Sequence, residues 1–239
     1  STIIVNFFIG KLVEKKLRNW KDCVITRKIN SLIKSCEVLM MEIVFNRHGQ
    51  TDVNKDNRLQ GAHVDAELND YGRAYAKKAA ANFDEDEFDV VYSSPMKRAV
   101  ETAKIFTKDK KKINLDDRLL EFDFGDWDGK KMDDIVKEYP DIVDPWGKVN
   151  RNYIRYAKNG ESYEAFDKRC GDFLDEMYQK YPDKKVLVVA HGRLIRMMAA
   201  HYLTNGDMDK IDTMDNCALA KFSVKKNIAR MIFYNRLLA

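Results

Sequence analysis

Two stretches far apart in the chain share one design. Ile43-Val44-Phe45 is an apolar run, too brief for a helix and rich in branched and aromatic residues, and it runs into Arg47-His48-Gly49. Val186-Leu187-Val188-Val189-Ala190 runs in the same way into His191-Gly192. A guanidinium or an imidazole cannot simply continue a buried strand. Both belong at its carboxyl end, where open α/β sheets form their ligand crevice. There a guanidinium can fork onto two oxygens of an anion while an imidazole nitrogen attacks, and Gly49 lets the backbone turn or approach a ligand closely. A third apolar run, Val90-Val91-Tyr92, ends at Ser93-Ser94-Pro95 with Arg98 beyond it, and Glu121 stands in Leu119-Leu120-Glu121-Phe122.

These residue types suit an anionic substrate, of which a phosphomonoester is one kind. Such an ester carries about two negative charges near neutral pH. Breaking it takes a nucleophile, cationic donors around the phosphoryl oxygens and an acid for the leaving oxygen. Arg47 and Arg98 can supply the forks, and His48 and His191 two imidazoles with different parts. One must be neutral at its attacking nitrogen, held so by surrounding cations; the other is better protonated, donating to the bound dianion. A carboxyl beside a bound phosphate is driven by like charge toward its proton-bearing form, which suits an acid. Each residue also has a plain structural reading. His48 can be a core histidine bonded to a carbonyl, Arg98 can pair with Glu101 on its own helix, and Glu121 can cap the turn that follows it. Two histidines without clustered carboxylates argue against a metal, and no cofactor is expected.

The ordered pieces resemble the histidine phosphatase superfamily. They are Arg47-His48-Gly49-Gln50-Thr51 with Asn54, Arg58-Leu59-Gln60-Gly61 with Asp65 and Leu68, Ser93-Ser94-Pro95 with Arg98 and Thr102-Ala103, Glu121 with Gly125 and Gly129, and Ala190-His191-Gly192. They run from residue 41 nearly to the C-terminus. The resemblance implies His48 as a nucleophile that forms a phosphohistidine, Glu121 as proton donor, and His191 in the phosphate pocket with Arg47 and Arg98. It implies further substrate contacts from Thr51 and Asn54, with Gly49, Gln60, Gly61 and Gly192 beside them. Gln50 in place of the commoner glutamate, and Ala66-Glu67 in place of a proline-containing pair, are departures that leave the nucleophile untouched. Mutases of this family carry a long basic insertion after the acid. Here Phe124-Gly125-Asp126-Trp127-Asp128-Gly129, a helix and Tyr139-Pro140 follow, which resembles the phosphatase branch.

The expected activity is therefore metal-independent hydrolysis of a small phosphorylated metabolite. Residues 121–145 are rich in aspartate, which should repel a second phosphate. The alcohol is thus expected to be small or partly apolar, contacted by Trp127, Trp146, Tyr153 or Tyr156. One alternative is a cofactor-dependent phosphoglycerate mutase, which 2,3-bisphosphoglycerate would stimulate with little free phosphate released. Another is an inactive phosphate-binding module, which would form no phosphoenzyme.

The 239 residues, 45% apolar and 33% charged, fit a globular protein with a sizeable core. The net charge of +4 is unevenly spread. Residues 1–40 hold eight basic and three acidic side chains, leaving 34 basic against 35 acidic in the rest. The basic character belongs to the N-terminal segment, so nucleic-acid binding by residues 41–239 is disfavoured. Residues 1–40 lie outside the resemblance and read as a basic extension not needed for chemistry, with Met40 and Met41 placed just before the first strand; the rival is an amphipathic arm for a membrane or partner. No run reaches membrane-span length, and Ile3-Ile4-Val5-Asn6-Phe7-Phe8-Ile9 is a poor signal peptide because its charge follows it. Cys23, Cys36, Cys170 and Cys217 show no metal-ligand spacing and read as reduced thiols of a cytoplasmic protein. Oligomeric state is not legible.

Strands alternating with helices predict a three-layer, doubly wound α/β domain with a mostly parallel sheet and helices on both faces. Helices are expected from Asn69 or Asp70 through Ala80, Arg98 to Ile105, Met132 to Tyr139, Ser162 to Tyr181, and Arg193 to Tyr202. A strand near Ile113-Asn114-Leu115 and two closing strands complete the sheet. The acidic run 84–87 and the lysines of 108–112 read as solvated loops, and residues 141–160 as a cap over the site. His63 reads as loop and His201 as helix surface.

Overall fold

The computed structural model describes residues 39–225 and 228–239. The reading of residues 1–40 as an extension falls almost wholly outside the described residues. Six strands, β1 (Met41–Arg47), β2 (Val90–Ser93), β3 (Ile113–Leu115), β4 (Lys185–Ala190), β5 (Leu219–Lys225) and β6 (Ile228–Arg236), form one sheet. Their spatial order is β3-β2-β4-β1-β5-β6. The first four are mutually parallel; at one side β5 pairs antiparallel with β1, and β6 antiparallel with β5. The expected doubly wound α/β architecture is the one observed.

Side-chain alternation explains the layers. In β1, Ile43 and Phe45 join one core while Val44 joins the other; in β4, Val186, Val188 and Ala190 part from Leu187 and Val189 in the same way. The first core takes helices α5 (Tyr163–Lys180) and α6 (Gly192–Thr204) through Phe166, Phe173, Leu194 and Ile195. The second takes α2 (Asp70–Ala81) and α3 (Lys97–Phe106) through Ala76, Ala79, Ala103 and Phe106. Two shorter helices are α1 (Asp52–Lys55) and α4 (Met132–Glu138), the latter joining the first core through Ile135. Helix starts follow ordinary capping: Asn69 accepts from Gly72 N, and Ser162 from Ala165 N.

Register places the chemistry. Arg47 pairs with Ala190, so β1 and β4 end at the same level, and His48 N donates to Ala190 O at 2.9 Å. Ser93 pairs with Val189, and Ser94 N donates to Val189 O, which brings the end of β2 to the same place. Three strand ends from distant parts of the chain therefore meet.

Two sequence expectations change. The acidic run is not simply solvated: Glu85 is buried in a 3-10 turn, ion-paired to Lys108 at 2.6 Å and Lys110 at 2.8 Å. Those hydrogen bonds hold its carboxyl down at about 2. The lysine loop is thus its partner rather than a free face. Cys170 and Cys217 are buried free thiols, with Cys23 and Cys36 outside the described residues. Among the described residues no helix is long and apolar enough to cross a membrane.

Candidate active site

A cleft of about 260 Å³ opens where β1 and β4 end, and Arg47, His48, Asn54, Gln60, Glu121 and Gly192 all line it. His48 is buried, and its Nδ1 lies 2.7 Å from Gly49 O. A carbonyl only accepts, so Nδ1 carries the proton and Nε2 keeps its lone pair. Burial first, then the charges of Arg98 and Arg47, push the imidazole well below its ordinary pKa. This is a neutral histidine with one nitrogen available for attack.

His191 and Arg98 stand behind it. The two imidazoles meet edge to face with centroids 5.2 Å apart. Arg98 Nε donates to His191 Nδ1 at 3.2 Å, so His191 Nε2 carries the proton and donates to Ser94 Oγ at 2.8 Å. Burial and the Arg98 charge hold His191 neutral as well. The expected protonated partner is thus, without substrate, a neutral ring with both nitrogens engaged. Arg98 does not pair with Glu101, which goes instead to Arg73 at 2.6 Å.

Buried donors near His48 lack partners. Arg47 Nη1 donates to Met214 O and Arg98 Nη1 to Val64 O. Arg47 Nε, Arg98 Nη2 and Gln60 Nε2 are buried without a hydrogen bond. Unpaired buried donors are rare and call for an acceptor, and two guanidiniums call for an anionic one. Gln60 is oriented by Thr51 Oγ1, which donates to its Oε1 at 2.8 Å.

Glu121 is fixed by backbone. Its Oε1 accepts from Phe122 N and Leu194 N, and its Oε2 accepts from Arg193 N at 3.1 Å. The start of α6, immediately after His191, thereby holds the carboxyl at the cleft. Oε2 takes one N–H and retains a lone pair to receive or carry a proton.

Of the other expected contacts, Asn54 and Gly192 line the cleft, and Thr51, Gly49 and Gly61 do not. Thr51 is fully buried and forms a capping box with Asn54 at the start of α1. A Cβ on Gly61 would lie 2.2 Å from Asp128 Oδ1 and 2.5 Å from Phe122 O, so that glycine serves close packing. Gly49 N donates to Thr102 Oγ1 at 3.0 Å. Gly192 lets Arg47 lie across the start of α6, since a Cβ there would be 3.1 Å from Arg47 Nε.

Several contributors escape sequence reading. Asn216 donates to His48 O at 2.8 Å and accepts from Asn54 Nδ2, tying the nucleophile loop to the turn before β5. Arg193, Lys148 and Arg196 line the cleft. Adjacency to His191-Gly192 was a signal for Arg193; Lys148 lies in a stretch without periodicity. The expected aromatic wall is corrected. Trp127 is buried and stacks on Tyr139, Tyr153 is fully buried, Tyr156 also stacks on Tyr139, and Trp146 faces a neighbouring cavity. Leu59, Phe124, Met132 and Val149 line the cleft in their place. The aspartates turn away too: Asp126 accepts from Lys158 N, and Asp128 from Gly61 N and His63 N. His63, Asp123 and Asp128 do gather within 4.8 Å, a cluster the sequence hid, but their hydrogen bonds go to one another and to backbone N–H groups. His201 is a half-exposed helix residue paired with Asp167 at 2.9 Å.

Comparison with known proteins bears on this geometry. Residues 43–236 match the family model described as the histidine phosphatase superfamily, branch 1. Phosphoserine phosphatase 1 of Hydrogenobacter thermophilus is 30% identical over 186 residues, covering 77% of this chain and 86% of that protein. Phosphoglycerate mutase-like protein 4 of Arabidopsis thaliana is 36% identical over 171 residues, covering 70% and 74%. The native structure of mycobacterial glucosyl-3-phosphoglycerate phosphatase superposes with a TM-score of 0.71 at 27% identity, covering 82% of this chain and 99% of that one.

Proposed function

The chain belongs to the histidine phosphatase superfamily, and from that premise we propose that it hydrolyses a phosphomonoester of a small metabolite through a phosphohistidine at His48. One observation carries the reading: a buried neutral imidazole with a free Nε2 lies in the charge field of two guanidiniums that keep unpaired buried donors. Arg47, Arg98 and the Gln60 amide receive the phosphoryl oxygens. The Nε2 lone pair attacks phosphorus, the ester P–O bond breaks, and the departing oxygen takes a proton from the Glu121 carboxyl. Water then attacks the phosphohistidine, returns a proton to Glu121 and breaks the P–N bond, giving inorganic phosphate and neutral His48. His191 contributes to the phosphoryl pocket once its Nε2 proton leaves Ser94 for a phosphoryl oxygen. Free buried thiols support a reducing, cytoplasmic setting.

Rapid-quench labelling with a 32P-phosphomonoester tests the reading. Label should appear in an acid-labile, base-stable linkage on the peptide containing His48. His48→Ala should lose it and fall on the order of a thousandfold or more in turnover. Undiminished turnover by His48→Ala would refute the assignment.

A further inference from the structure

The charge lining the cleft exceeds what one phosphoryl group needs. Arg47, Arg58, Lys148, Arg193 and Arg196 face it with one carboxylate, Glu121. Arg47, with Arg98 behind His48, already balances a phosphate dianion. Arg58 is exposed, its Nη1 donating to Gly129 O. Three cations, Lys148, Arg193 and Arg196, remain in the cleft.

Among the described residues Lys148 and Arg193 have no ion-pair partner, and Arg196 has one, Asp209, at the edge of ion-pair distance. Arg193 donates to Tyr163 Oη and Val149 O and lies over the rings of Phe122, Phe124 and Tyr163. That cage fixes the guanidinium but supplies no anion. Arg196 donates to Ile211 O and reaches Asp209 only at 3.7 Å. Among the described residues the half-buried Lys148 ammonium has no ion-pair or hydrogen-bond partner. Lys148 and Arg196 also line a second cavity of about 380 Å³, there beside Asp144, Asp209 and Asp212, so they stand where the two spaces meet and the cleft side is the one without carboxylates near them other than Glu121. Burial, then the like charge of Arg193, lowers the pKa of Arg196, a repulsion that a bound anion would relieve.

We propose that Lys148, Arg193 and Arg196 form a second anion subsite, so that the substrate is a phosphomonoester whose alcohol portion carries its own anionic group. The inference rests on the phosphatase reading and reverses the repulsion expected from the aspartates of 121–145, none of which lines the cleft and of which Asp126 and Asp128 accept from backbone N–H groups. A charged group there adds attraction in a partly desolvated cleft and steers the ester into register.

Two non-hydrolysable probes of similar length test it: 3-phosphonopropionate, which carries a carboxylate, and propylphosphonate, which does not. Competitive inhibition of 4-nitrophenyl phosphate hydrolysis by the full chain should show the carboxylate probe binding at least tenfold tighter. Lys148→Met should narrow that advantage severalfold, and Lys148→Glu should abolish it. Equal inhibition by the two probes in the wild type would overturn the subsite, and so would an advantage that survives intact in Lys148→Glu. A wild type that binds both probes by calorimetry with the expected preference, yet never hydrolyses 4-nitrophenyl phosphate, would sink the phosphatase reading and leave the subsite standing.

Discussion

At the scale of single residues, burial and Arg98 together govern the proton of His48. The imidazole is held neutral by burial first, then by Arg98 and Arg47. Its protonated, inactive form therefore accumulates only at pH values below the usual 6.5. In the profile of kcat/KM against pH, the limb assigned to the free enzyme's nucleophile should lie on the acid side of that value. Arg98→Gln removes one positive neighbour and should move this limb toward higher pH, besides lowering the rate. Comparing both enzymes on one substrate cancels the substrate's own ionisation. A limb that stays put in Arg98→Gln would show that Arg98 does not govern the His48 proton. His48, His191 and Arg98 were legible because each sits just past an apolar run, where a polar side chain needs a reason. Asn216 was not legible: it meets His48 across 168 positions, and nothing local marks an asparagine in a turn as the anchor of a distant backbone. Lys148 was not legible in a stretch without period, and Arg193 was marked only by its place beside His191-Gly192.

Elements explain how the nucleophile loop is kept rigid enough to use that chemistry. The start of α2 lies directly on it: Asn69 N donates to Gln50 O at 3.0 Å, and a Cβ on Gly72 would stand 2.2 Å from Gln50 O and 2.7 Å from Gln50 N. Backbone cannot yield as a flexible side chain would. Gly72→Ala should therefore push Gln50, two residues from His48, and destabilise by about 1–3 kcal/mol as other overpacked sites do. Catalysis should fall as well. Ala74→Gly is the control, an exposed position of the same helix that costs about 1 kcal/mol in helix propensity without touching the loop. Urea denaturation with kcat/KM on each variant decides it. Equal stability loss and full activity in both would deny α2 a positioning role. The longer helices were legible because capping residues and apolar period agree, as at Ser162 and Asn69. Helix α1 was not, since four residues carry no period. The segment 141–160 was not either, because its turns are held by side-chain bonds, Asp144 Oδ1 accepting from Trp146 N and Lys148 N and Asn150 capping the 3-10 turn that follows.

At the scale of the whole molecule, acid sensitivity has one source in the site and another remote from it. His48 and His191 are buried with pKa values well below 6.5, so on acidification the unfolded chain takes up protons that the folded one refuses. Stability must then fall with pH, beginning near 6.5 and continuing down to the folded-state values, at up to about 1.4 kcal/mol per pH unit for each histidine. Glu85 acts in the same direction lower down. Clamped by Lys108 and Lys110, its carboxyl is held at about 2, so its contribution is intact above the ordinary carboxylate range and is lost as pH falls from there toward 2. Urea midpoints measured from pH 7.5 to pH 3 should show both windows. Glu85→Gln should flatten the lower one and leave the decline that starts near 6.5 in place. Phosphate or vanadate, which binds only the folded site, should raise the midpoint at neutral pH by mass action. A midpoint that holds constant from 6.5 down to 5 without ligand would mean that the paired imidazoles take protons in the folded state, and the neutral nucleophile would have to be abandoned with them.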